Sequence, residues 1–140
     1  MVDTEALALR SLDILAKLVA FDTTSRGSNL ALIQYVEAEL GKLGVTGRRV
    51  PNEDGTKANL YATIGPLAEG GVVLSGHTDV VPVDGQAWSS DPFTLTPRDG
   101  RLYGRGTCDM KGFLALALAA APELAKARAR KPFMSQVPRP

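Results

Sequence analysis

The sequence predicts an α/β protein, and three observations predict it. Apolar residues recur at helical spacing over residues 4–20 and again after Ser28. The patterning turns strand-like from Val45 onward. An Ala- and Leu-rich helical stretch begins at Gly112. Helices that alternate with strands bury their apolar faces most readily as layers, so a layered α/β fold follows.

In chain order, Ala8, Leu12, Leu15 and Val19 form the stripe of the first helix, widened by Ile14 and Leu18. The polar run Asp22-Thr23-Thr24-Ser25-Arg26-Gly27 ends it. Ser28 is placed to cap a second helix that carries Leu32, Ile33, Val36, Leu40 and Leu43 on one face, and Gly44 stands where its C-cap belongs. Two strands are expected at Val45–Val50 and Asn59–Ile64, separated by the turn Pro51-Asn52-Glu53-Asp54-Gly55. Gly71-Val72-Val73-Leu74-Ser75 reads as a buried sheet strand. Phe93–Thr96 and Arg101–Tyr103 flank Pro97-Arg98-Asp99-Gly100 as a hairpin. The last helix, Gly112–Leu124, contains Pro122, which is expected to kink or end it.

The 140 residues suit one domain or part of one, and an apolar fraction of 44% is enough for a core. A formal charge of +1 gives no basis for nucleic acid or anionic membrane as a partner. The charge is uneven: residues 1–125 hold eleven Lys+Arg against fifteen Asp+Glu, a net of −4, whereas Lys126 to Pro140 carry +5 and no acid. Cys108 is the single cysteine, so no intrachain disulfide forms, which fits a reducing compartment. Asp3, Glu5, Arg10 and Asp13 interrupt any leader-like or membrane-spanning run, and a soluble cytoplasmic protein is the expectation.

Two clusters could carry chemistry. Ser75-Gly76-His77-Thr78-Asp79-Val80-Val81-Pro82 follows the apolar run, at the carboxyl end of the expected strand, where open α/β sheets bind ligands. In extended backbone, residues two apart point the same way, so Asp79 can take the proton on one ring nitrogen of His77 and leave the other for a metal. A histidine that is merely hydrogen-bonded in a loop satisfies the same pattern. The second cluster is Gly104-Arg105-Gly106-Thr107-Cys108-Asp109-Met110-Lys111-Gly112. Asp109 stands just before the apolar helix, where a carboxylate either caps the N-terminus or bridges metal ions. A dinucleotide loop is rejected, because its third glycine falls on Asp109 and an acid would repel a pyrophosphate. Cys108 is expected as a small buried residue of the site wall, Lys111 and Arg105 as surface charges rather than loop-holding salt-bridge partners, and Trp88, Pro92 and Phe93 as packing.

Together, Gly76-His77-Thr78-Asp79-Val80-Val81-Pro82 and Gly104–Gly112 resemble the paired N-terminal motifs of the zinc-dependent aminoacylase and carboxypeptidase family, which includes deacetylases, desuccinylases and dipeptidases. Gly106 to Phe113, Val83-Asp84-Gly85-Gln86 and Asp91-Pro92-Phe93 are most similar to its acetylornithine deacetylase branch. The resemblance implies a three-layer α/β/α catalytic domain with a mixed sheet, present here as a truncated N-terminal part over residues 1–133. It implies that His77 ligates one Zn2+, that Asp109 bridges two, and that Asp79 orients His77 as a catalytic partner, with Co2+ an alternative metal. A cis peptide at Asp109–Met110 is implied as well. The implied reaction is hydrolysis of the amide of N2-acetyl-L-ornithine to acetate and L-ornithine, with metal activating water and polarising the carbonyl. A succinyl substrate or a dipeptide is the alternative, and a non-catalytic fragment is another.

The resemblance also marks what is missing. The family's second ligating histidine, its paired-glutamate motif with the general base, and its lid and dimerisation domain have no counterpart; His77 is the only histidine. The paired glutamates should follow a strand starting near Lys131-Pro132-Phe133. The proline-rich basic run 134–140 stands there instead and is expected to be an atypical, disordered tail, as an out-of-frame end would be. Full-length members are expected to be homodimers, and this chain alone is expected to be inactive.

Overall fold

The computed structural model describes residues 2–66 and 69–129, and it bears out the α/β class. Helix α1, Thr4–Ala20, starts at Asp3, whose carboxylate accepts from the N–H groups of Glu5 and Ala6 at 3.1 Å. Its buried residues are Ile14, Leu15, Leu18 and Val19, so the core lies under its C-terminal half, whereas Ala8 and Leu12 of the expected stripe are exposed. Helix α2, Leu30–Gly41, buries Leu32, Ile33 and Leu40. Its N-cap is Asn29 rather than Ser28, although the Ser28 hydroxyl still accepts from the Leu30 N–H. Gly44, at φ 70°, turns the chain out of the helix. Val45 is drawn into that ending by its bond to Leu40 O, which is why the first strand begins later than expected.

Strands β1 (Gly47–Pro51) and β2 (Ala58–Ala62) form one antiparallel pair, and β3 (Thr96–Arg98) and β4 (Arg101–Tyr103) form another. The second hairpin turns on Asp99 and Gly100, both at positive φ, as a two-residue turn requires. Phe93 and Thr94, expected as strand, instead bond through N–H and hydroxyl to the Asp91 carboxylate, which removes them from any ladder. Thr24 and Val80 make the one isolated parallel bridge among the described residues.

Helix α3, Gly112–Ala129, packs along α1 and passes Pro122 without ending. Its Ala115 and Ala119 have no bulk to keep α1 away, and they complete the core with Ile14, Leu15, Leu18, Val19 and Leu32.

The expected buried strand before the histidine loop is overturned. Gly71–Ser75 is not a strand, and Val72 and Val73 are 83% exposed. A buried strand needs hydrogen-bonding neighbours and a covering layer, and none of the described residues supplies either to this run. The strand expected near Lys131-Pro132-Phe133 and the tail 134–140 lie outside the described residues.

Candidate metal centre

Two loops build the site, and the segment after α1 holds both. In the first, Val80 N donates to Thr23 O and Ser25 N donates to Val80 O, each at 3.0 Å. The Thr23 hydroxyl donates to Thr78 O at 2.6 Å, and the Asn29 amide donates to the Thr78 hydroxyl at 2.9 Å while clasping Ala58 through both of its backbone groups. Buried Thr23, Thr24 and Val80 thus fix the backbone on either side of Asp79.

In the second loop, Gly106 sits at φ 86°, where a Cβ would lie 2.8 Å from Val80 Cγ1. Only glycine lets the acid loop lie this close to the histidine loop. Thr107–Lys111 then forms one wide turn, with the cis peptide Asp109–Met110 that the family resemblance implies. Lys111 is fully buried, and its ammonium donates to Phe21 O at 2.7 Å. Burial pushes its pKa down to about 8, with Asp22 opposing the shift. Lys111, expected as a surface charge, is instead a buried one that holds the loop, through a carbonyl rather than a salt bridge.

The loops bring His77 and Asp109 together. Nε2 of His77 lies 2.9 Å from Asp109 Oδ1, and Nδ1 lies 3.0 Å from Asp79 O and 3.3 Å from Asp79 Oδ1. Asp79 Oδ2 accepts from the Ser25 hydroxyl at 2.6 Å. Carbonyl and carboxylate oxygens cannot donate, so Nδ1 must carry a proton. Both ring nitrogens face acceptors, which favours the imidazolium: the Asp109 carboxylate foremost, helped by Asp79, holds the His77 pKa above its ordinary value. The Ser25 hydroxyl is the main cause that holds the Asp79 carboxyl below the usual range. Asp109 is exposed and bonded to His77, and it does not cap α3.

A cleft of about 230 Å³ opens here, lined by Ser25, His77, Asp79, Arg105, Cys108 and Asp109, among others. Cys108 is exposed, contrary to expectation, because the turn buries Lys111 and points the thiol's stretch of chain outward. Arg105 stacks over Trp88 at 4.9 Å, and both bond to Gln86, so Trp88 packs against a loop charge. Sequence reasoning misses Ser25 and the Phe21 carbonyl that anchors the Lys111 ammonium. The density of hydroxyls in Asp22–Ser25 is the available signal for the first; nothing in the sequence marks the second.

The donor set fits part of a divalent-cation centre: His77 Nε2 and a carboxylate oxygen converge, and loss of the Nε2 proton would free a nitrogen lone pair for a cation. Among the described residues, no group of three or more His, Cys, Asp or Glu side chains converges as a cage.

Residues 73–135 match Peptidase family M20/M25/M40, a span that contains both loops. Proteins named acetylornithine deacetylase carry the likeness over most of the chain: that of Pasteurella multocida is 46% identical over 106 residues, and that of Proteus mirabilis is 48% identical over 103. The one from Pectobacterium carotovorum is 42% identical over 127 residues, 88% of this chain. The chain spans only 28%, 26% and 32% of these relatives. Human carnosine dipeptidase 1 superposes with a TM-score of 0.72 at 27% identity, over 88% of this chain and 30% of that one. M20 peptidases are metal-dependent hydrolases.

Proposed function

We propose that this chain contributes His77 and Asp109 to a two-zinc centre that hydrolyses the amide of an N-acyl amino acid, with N2-acetyl-L-ornithine as substrate and acetate and L-ornithine as products. The observation that carries the reading is the 2.9 Å approach of His77 Nε2 to Asp109 Oδ1, with Asp79 against the opposite ring nitrogen. The named relatives supply the choice of substrate. When bound, zinc would polarise the amide carbonyl and make water a nucleophile near neutral pH. His77 gives its Nε2 lone pair; Asp79 keeps the ring proton on Nδ1 and fixes the ring plane. Asp109 supplies carboxylate oxygens and negative charge on the cleft side.

Two donors fall short of the four that a zinc ion takes, and among the described residues no third ligating side chain joins them. We therefore assign residues 1–133 to the N-terminal part of the catalytic domain and expect no turnover from this chain alone. The test is a chimera in which residues 1–125 replace the matching segment of the Pasteurella multocida relative, assayed with zinc. Acetylornithine should be hydrolysed faster than succinyl-diaminopimelate or carnosine, and His77→Ala and Asp109→Ala should each abolish the activity. Equal hydrolysis by the His77→Ala chimera would sink the assignment, and a preference for either of the other substrates would move it to another branch of the family.

A further inference from the structure

The ligand pair rests on groups that belong to neither loop. The five residues after α1, Phe21–Ser25, hold the histidine loop through Thr23, Ser25 and the Thr24–Val80 bridge, and hold the acid loop through the Lys111–Phe21 bond. This segment lies outside residues 73–135, which carry the family match. Within it, Ser25 alone puts a side chain on the site. Its hydroxyl donates to Asp79 Oδ2 at 2.6 Å and approaches Val80 O at 3.3 Å. Its main chain is held on both sides: the N–H donates to Val80 O and the C=O accepts from the Lys57 ammonium. The hydroxyl can therefore turn only a little before losing the carboxylate. Asp79 in turn meets His77 Nδ1 twice, with its carbonyl oxygen at 3.0 Å and with its other carboxylate oxygen, Oδ1, at 3.3 Å. A carboxylate rotates freely about its last bond unless one oxygen is tied, and Ser25 ties the oxygen that does not face the imidazole.

From this geometry we infer that Ser25 is a positioning residue for the metal ligand His77, acting through Asp79: it locks the carboxylate that holds the imidazole with its proton on Nδ1 and its lone pair toward the cleft. The inference rests on reading His77 as a ligand. It separates from that reading because the ring's tautomer can be observed without metal.

The test uses the chain as it is. Zinc sulfate is titrated calorimetrically into wild type, Ser25→Ala, Ser25→Thr, Asp79→Asn and the Ser25→Ala/Asp79→Asn double variant. Loss of a group that orients a metal-ligating histidine typically weakens affinity by about tenfold or more. Ser25→Ala should weaken zinc binding about tenfold, Ser25→Thr should restore it, and the double variant should bind no more weakly than Asp79→Asn, because the serine acts only through that carboxylate. A merely structural serine would give additive losses, or a loss that tracks the urea midpoint. Either result, or wild-type affinity in Ser25→Ala, overturns the inference. In zinc-free protein at alkaline pH, nitrogen-15 shifts of the His77 ring should move from the Nδ1–H toward the Nε2–H tautomer in Ser25→Ala. If the tautomer moves while the His77→Ala chimera still hydrolyses acetylornithine, the ligand reading of His77 falls and the positioning role stands. An unmoved tautomer removes the positioning role.

Discussion

At the scale of single residues, His77 and Lys111 are two cations the fold treats in opposite ways. The Asp109 carboxylate raises the His77 pKa, so the imidazolium stabilises the folded chain; that contribution is full below the ordinary histidine value and is lost as pH rises through the raised one. Asp109→Ala removes the largest cause, and the proton titration of the sole histidine in zinc-free protein should shift back toward 6.5. An unchanged titration would mean that the two side chains do not meet in solution. Lys111 is destabilised as a cation by burial, with its pKa lowered from 10.5 to about 8. Between those values the unfolded chain binds more protons than the folded one, so stability should rise with pH from about 8 to about 10.5. Urea unfolding of wild type against Lys111→Met should show a difference that changes by roughly 3 kcal/mol across that window. A pH-independent difference would place the ammonium in water. The meeting of His77 and Asp109 is legible in the sequence because each sits in a short motif whose residue types permit few uses. The burial of Lys111 is not, because a lysine after an exposed acid looks solvated, and only the tertiary approach of Phe21 O reveals it.

At the scale of elements, legibility follows locality. Helix α1 is readable to within a residue, because its period and its Asp3 cap are contained in its own sequence. The hairpin turn at Asp99-Gly100 is readable for the same reason. Phe93 and Thr94 mislead, because a side chain one or two residues upstream of them competes for their bonds, and propensity does not record that competition. Gly106 shows how much one backbone state in an element can matter. Its φ of 86°, and the 2.8 Å that would separate an alanine Cβ from Val80 Cγ1, leave an alanine both strained and crowded. Gly106→Ala should cost at least about 1–2 kcal/mol from the left-handed backbone alone, read as a lowered urea midpoint. Zinc affinity should fall with it, because the same glycine sets the spacing of the two loops. Wild-type stability in that variant would show that the loops are not in contact there.

At the scale of the whole molecule, the core and the apolar surface are out of balance. Seven buried residues from α1, α2 and α3 form the main cluster, while Val72, Val73, Leu74 and Val81 are more than half exposed. An extended, β-branched, uncharged run in water is a template for pairing with another chain. The chain should therefore self-associate, with a weight-average mass in sedimentation that rises with concentration. Val73→Lys should return it toward the 14.8 kDa monomer. In the chimera with the Pasteurella multocida relative, the proposed function gives the same substitution the opposite value. There the run would become an interior strand leading directly into His77, and an unpaired buried ammonium four residues away would cost several kcal/mol. Val73→Lys should therefore solubilise the chain and abolish hydrolysis by the chimera. If it leaves the chimera fully active, Gly71–Ser75 is surface in both settings, and the site needs no sheet beneath it.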